Sequence, residues 1–464
     1  MFVTSRAKAH MDFTGAFVEL PVLLTPAGVL DALLDYFLFH SHDRSLSWMR
    51  KVAWAVTLFL EYLSSNPTER DSYRLFQNFA QRLYTGTFDR ISGLDPSWLC
   101  WRPRSPRDAQ HIVTYLTDFF DWLNKERPAV AKVNPKYAGS AYDRMTDEVA
   151  YQYRRDKAFL GHSWAANATE EGHRTRYSRP PSVEPWDRPA FPDDRFEEFL
   201  FKGFKVRGRY DYGSMLITLL MHGAGFRESE PFHLYFGDVV PDPRNSRQAL
   251  VRIHHPKFGA APSDWHDERG RPKKGNRRAY LAEKFGLAPR TEMMDSRHAG
   301  WKGGLHDGAY YKQAFWFLPE YGEWFLHLWY RYLEQVAYID RNHPFAFVNT
   351  RREPIGGMYA MAQFDKAHGA ACERIGLPVS KALGTTRHGH RHAYGWRLRK
   401  SGIDKSFIRR FMHHTSIESQ EVYTQPDLRE MYAELEAGAT RLQEVHGNAS
   451  NHSRLLLPGL GFTM

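Results

Sequence analysis

A chain of 464 residues, 42% of them apolar, is long enough for two or three domains with buried cores. Lysine and arginine (63) exceed aspartate and glutamate (53), giving a net charge of +10 and a pI near 9.3, a balance that favours a polyanionic partner. The two cysteines, Cys100 and Cys372, argue against a disulfide framework or a CxxC zinc site; no apolar run nears the roughly 18 residues that cross a bilayer, and MFVTSRAKAHMDF lacks a signal pattern, so a soluble cytoplasmic protein is expected.

From Pro26 to about Leu160 the apolar period is helical. Val52, Val56, Phe59, Leu60 and Leu63 recur at steps of three and four, as do Phe76, Phe79, Ala80 and Leu83, and then Ile112, Leu116, Phe119 and Leu123. Ser105-Pro106 reads as the N-cap and first turn of the third stripe. The stripes are core; function on this half would lie in the polar faces, for example Arg50, Lys51, Arg70, Arg74 and Arg82, charges that otherwise are simply solvated. Residues 172–194 hold five prolines and four arginines without an apolar period and read as an extended linker.

Beyond the linker, residues 195–204 and 212–222 read as helices leading to the box Gly225-Phe226-Arg227-Glu228-Ser229-Glu230. PFHLYFGDVV, QALVRIHHP and RRAYLAEKF have strand character. Between and after them, residues 264–278 and 297–307 are irregular and are expected to be solvent-facing insertions. Helices resume at about 311–338 and 358–375, with a strand and turn between Pro344 and Pro354. A helix over 428–444 and a sparse tail follow.

The chemistry is concentrated in Thr386–Gln425. His388-x-x-Arg391 opens it, His414 follows Arg391 by 23 positions, and Tyr423 stands nine beyond His414. A guanidinium grips phosphate oxygens in a planar fork, and an imidazole moves protons near neutral pH. A tyrosine, with a pKa of about 10, becomes a nucleophile only beside a base and cations.

These motifs resemble those of the tyrosine site-specific recombinases, the phage integrase family, over roughly residues 194–444. The resemblance implies a mainly α fold with a small antiparallel β-sheet, in which an N-terminal helical core-binding domain (1–171) and the linker (172–194) precede an α+β catalytic domain (195–445) and a C-terminal tail (446–464). It further implies that Tyr423 attacks a DNA phosphate, that Arg227 and Arg391 neutralise the non-bridging oxygens, that His388 accepts the tyrosine proton and that His414 hydrogen-bonds a phosphate oxygen. In this family a lysine in the turn between the second and third strands protonates the leaving oxygen. Lys257, at the end of the second strand, is favoured for it over Lys274. The implied partners are double-stranded DNA, a homotetramer on two duplexes and accessory proteins, with no membrane, metal or cofactor. Two other readings are a DNA-binding regulator that lost catalysis and a metal-dependent hydrolase built on His388, His390 and His392, which would share a face if the segment were a strand.

Overall fold

The computed structural model describes residues 2–10, 17–89, 91–128, 189–415 and 435–438, with short pieces between 133 and 173. The fold is mainly helical with small antiparallel sheets. The chain divides into two compact units, Met1–Ser182 with Arg290–Gly300, and Val183–Pro289 with Trp301–Met464. Among the described residues no helix is long and apolar enough to cross a membrane.

In the first unit the three apolar stripes become α2 (Leu46–Ser65), α3 (Ser72–Thr85) and α4 (Pro106–Glu126), preceded by α1 (Asp31–Phe39). Val52, Val56 and Phe59, Phe76 to Leu83, and Ile112 to Leu123 face one shared core, where Phe59, Phe76, Phe79 and Phe120 meet edge to face. Ser105 caps α4, its Oγ accepting the Asp108 N–H at 3.1 Å with Pro106 in the first turn. A hairpin precedes these helices: β1 (Val3–His10) pairs antiparallel with β2 (Phe17–Thr25), and β3 (Gly28–Val29) extends it. Helical periodicity could not announce it, because β1 is largely exposed and, among the described residues of the sheet, the buried ones are the short run Leu20, Pro21, Val22 and Leu23.

Residues 290–300 are also part of this unit, although their sequence lies within the stretch expected to be catalytic. Met294 packs on the helical core, and its carbonyl accepts from Arg50 Nη2 at 2.7 Å. Arg290 is fully buried, its Nε donating to Arg297 O at 2.8 Å. This part of the insertion is built into a core rather than facing solvent.

The second unit carries a three-stranded sheet. Strands β4 (Val239–Asp242), β5 (Asn245–His254) and β6 (Tyr311–Gln313) lie in the order β6-β5-β4, all antiparallel. The third strand is therefore not RRAYLAEKF. That segment is a helix, α6 (Arg277–Phe285): Asn276 Oδ1 accepts the Ala279 N–H at 2.9 Å and Gly286 closes it in the left-handed conformation at φ +62°. Its Ala, Leu, Glu and Lys are good helix formers, and the two caps outweigh the strand-like Tyr and Phe. Around the sheet stand α5 (Tyr212–Ala224), α7 (Pro319–Val336), α8 (Met361–Arg374), α9 (Arg387–Lys400) and α10 (Lys405–Phe411). A short run of 3-10, α and π turns over Asp193–Gly203 precedes α5. The end of the expected linker belongs to this core, with Phe191 1% exposed.

Candidate active site

The site begins at the end of α5. Gly225 is left-handed at φ +70°, and a Cβ there would meet the Tyr394 ring of α9 at 2.3 Å, so only glycine lets α9 press onto the turn that presents Arg227. Within the turn, Glu230 accepts from its neighbour twice, from the Arg227 N–H at 2.8 Å and from Arg227 Nη1 at 3.2 Å. Glu228 pairs with Arg387, the first residue of α9, and Arg387 Nε also lies 2.9 Å from Asp365.

Arg391, one turn into α9, ties the separate segments together. It donates from Nη1 to Gly225 O, and from Nη2 to Met412 O at 2.7 Å and to His414 Nε2 at 2.8 Å. An arginine can only donate, so the His414 nitrogen facing it is the unprotonated one. Burial first, then Arg391 and Arg227, pull the His414 pKa down to about 3, leaving a neutral ring.

Lys312, on β6, is the lysine that meets this cluster, and no motif around it marks it in the sequence. It is fully buried and donates to Glu230 Oε1 at 2.7 Å, with the Trp301 ring centroid 4.5 Å from its Nζ. Burial opposes charge on Glu230, but Lys312, Arg227 and Arg391 outweigh it and hold the carboxyl far below the usual range. Burial lowers the Lys312 pKa, Glu230 opposes the shift, and the two arginines add to it. The pair stays ionised in a pocket of net positive charge.

The other expected residues fall as follows. His388 is exposed one turn before Arg391, its ring edge-on to His392 at 4.6 Å between centroids. Lys257 is half-buried two residues before Gly259, its own N–H donating to His255 Nδ1 at 3.1 Å. His255 lies in the fields of His306, Lys257 and Lys312; burial, then these groups, lower its pKa to about 4. Lys274 is exposed. Tyr423 lies outside the described residues.

His390 turns away from the other histidines of its run. It meets His222 Nδ1 at 3.2 Å through one nitrogen and His368 Nε2 at 2.9 Å through the other, fully buried between the Phe191 and Phe199 rings. Helical geometry thus separates His390 from His388 and His392, and the three-histidine metal site expected of a strand is not formed.

No protein-family model matches the sequence, and no curated protein matches it. Solved structures do. The chain is similar to the XerH site-specific recombinase bound to palindromic difH substrate in a post-cleavage complex, at 14% identity, with 86% of this chain and 80% of that one covered and a TM-score of 0.48. It is similar to a lambda integrase dimer bound to a COC′ core site at 13% identity, 86% and 97% coverage and a TM-score of 0.43. It is also similar to the Tn1549 transposon integrase in complex with transposon right end DNA at 12% identity, 83% and 99% coverage and a TM-score of 0.36. Over most of its length the chain is similar to site-specific recombinases and integrases of the tyrosine recombinase family.

Proposed function

We propose that this chain is a site-specific DNA recombinase that cuts and rejoins duplex DNA through a 3′-phosphotyrosyl link, integrating or excising a mobile element. The observation that carries the reading is the convergence of Arg227, Arg391, His414 and Lys312 around Glu230, a set of donors drawn from four separate segments. Such a pocket suits a phosphate whose negative charge grows during attack.

In the proposed reaction Tyr423 Oη bonds to phosphorus and passes its proton to His388. The bond from phosphorus to the 5′-oxygen breaks, and that oxygen leaves as a hydroxyl. A 5′-hydroxyl of a second duplex reverses the step, so the phosphodiester energy is conserved and neither nucleotide nor metal is consumed. Arg227 and Arg391 hold the non-bridging oxygens, each donor being worth about 3 kcal/mol of barrier. Arg391 now spends its donors on Met412 O and His414, and would exchange part of that set for phosphate. Lys312 protonates the leaving oxygen, because it stands among the arginines; Lys257, three residues beyond the end of β5, is the second candidate. The working form is a homotetramer on two duplexes in the cytoplasm, with accessory proteins setting direction.

The test is a nicked duplex carrying the insertion junction of the element that bears the gene. The wild-type chain should become covalently attached to it, in chelator as well as without, and Tyr423→Phe should not. Arg227→Ala and Arg391→Ala should each slow attachment at least 100-fold. A substrate with sulfur at the 5′-bridging position needs no proton on its leaving group, so it should restore Lys312→Ala but not Arg391→Ala. Restoration of Lys257→Ala instead would move the donor to Lys257. Tight DNA binding by the wild type with no adduct would leave a DNA-binding regulator of the same fold.

A further inference from the structure

The segment between α6 and β6 does more than wall in Lys312. Asp307 accepts the His413 Nε2 hydrogen at 2.7 Å and the Gln313 N–H at 2.9 Å on one oxygen, while Arg410 Nε stands 3.4 Å from the other. Its own N–H donates to Tyr311 O at 2.9 Å, so the carboxylate is anchored to β6, the strand of Lys312. The side chain is 6% exposed, and although burial opposes ionisation, the hydrogen bond from His413 keeps it a carboxylate.

The partner, His413, is unusual in its backbone. It sits at φ +54°, a conformation that costs an L residue energy and that glycine would adopt freely. Its ring is buried against Phe226, beside Arg227, and against Phe315. Gly304 presses on the same turn: a Cβ there would lie 2.4 Å from His413 O. The turn 412–414 is therefore gripped from two sides. Arg391 holds Met412 O and His414 Nε2 from α9; Asp307 holds His413 from the inserted segment. A strained residue whose ring is committed to one buried carboxylate is there for that bond, since glycine would serve the turn alone.

We propose that Asp307 is a positioning residue of the active site: through His413 it fixes the turn that carries His414, and so aligns His414 and Arg391 for the phosphate. This rests on the recombinase reading above for its catalytic consequence, though not for its geometry. Asn at 307 keeps an oxygen that accepts from His413, Ala keeps none, and Gly at 413 removes both the ring and the strain.

The experiment uses the full chain and the nicked junction duplex, with the attachment rate at saturating DNA and the half-saturating DNA concentration measured separately. Asp307→Ala and His413→Gly should each slow attachment tenfold or more with half-saturation unchanged, Asp307→Asn should stay within threefold of wild type, and the double variant should be no slower than the slower single one. Wild-type rates in Asp307→Ala or His413→Gly, equal losses in rate and DNA affinity, or multiplying losses in the double variant would overturn the proposal. A second readout is independent of cleavage. In the chain with labelled histidines, the His414 imidazole should titrate well below the usual range in the wild type, chiefly from burial and then from Arg391, and at a higher pH in Asp307→Ala, once its contact with Arg391 is loosened. An unchanged His414 titration refutes the positioning role even if no variant forms an adduct, whereas a wild type without adduct but with the shifted titration refutes only the recombinase reading.

Discussion

A carboxylate that has lost its water survives only among cations, and Glu230, with no exposed surface, has Lys312, Arg227 and Arg391. Removing one partner of such a pair strands the other charge. Glu230→Ala should therefore destabilise the second unit by about 3–5 kcal/mol in urea denaturation, well beyond the cost of one hydrogen bond. Exchanging both partners for apolar residues, Glu230→Leu with Lys312→Met, should recover much of that stability and still leave the chain unable to attach to DNA. The pair would then be shown to serve the chemistry rather than the fold. The sequence exposed Glu230 only as a letter of the GFRESE box. It could not expose Lys312, because residues 255–310 separate β5 from β6 and hide which lysine faces the pocket.

Helix α9 works with two faces, and the spacing of its residues explains how much of it was legible. His388 and Arg391, three apart, fall on neighbouring positions of the helix by its geometry alone, although His388 is exposed and Arg391 buried. His390 looked like part of the same cluster and is not: it belongs to a buried relay that locks α9 to α5 and α8. Arg397 can only donate, and does so to His222 Nε2 at 2.9 Å; His222 Nδ1–H then faces His390, and His390 Nε2–H faces His368. That single arrangement requires three neutral rings. Only the fold shows it, because residues 222 and 368 are distant in sequence and each reads locally as ordinary helix. Burial is the first cause lowering all three pKa values, that of His368 to about 4. A histidine depressed in the fold is neutral in both states above about pH 6.5, and there its contribution is fully present. Between 6.5 and the folded value only the unfolded chain takes the proton, so stability should fall by about 1.4 kcal/mol per pH unit for each such ring. Urea midpoints followed from pH 7.5 to 5 should show this decline, and His368→Gln should make it shallower. A simpler test at this scale concerns α6: Asn276→Ala should cost about 1 kcal/mol, the worth of its cap on the Ala279 N–H.

At the scale of the molecule, the helical character of the N-terminal part could be read from its apolar period. The return of residues 290–300 to the first unit could not, since RTEMMDSRHAG has neither period nor motif and its place is decided by where Met294 and Arg290 are buried. Met294→Asp would put an unpaired charge into that core and should release the segment. Trypsin should then cut first at Arg290 or Arg297, of which the former is fully buried and the latter paired with Asp295 in the native chain. Time-resolved proteolysis followed by mass spectrometry checks it.

The polypeptide thus passes between the two units three times, after Ser182, after Pro289 and after Gly300. Severing an ordinary two-domain protein at its connecting stretch yields two particles. Here a single cut within residues 174–188 leaves both remaining crossings intact, with residues 290–300 still part of the first unit. The nicked species should run as one particle in gel filtration and fall into two bands only under denaturing electrophoresis.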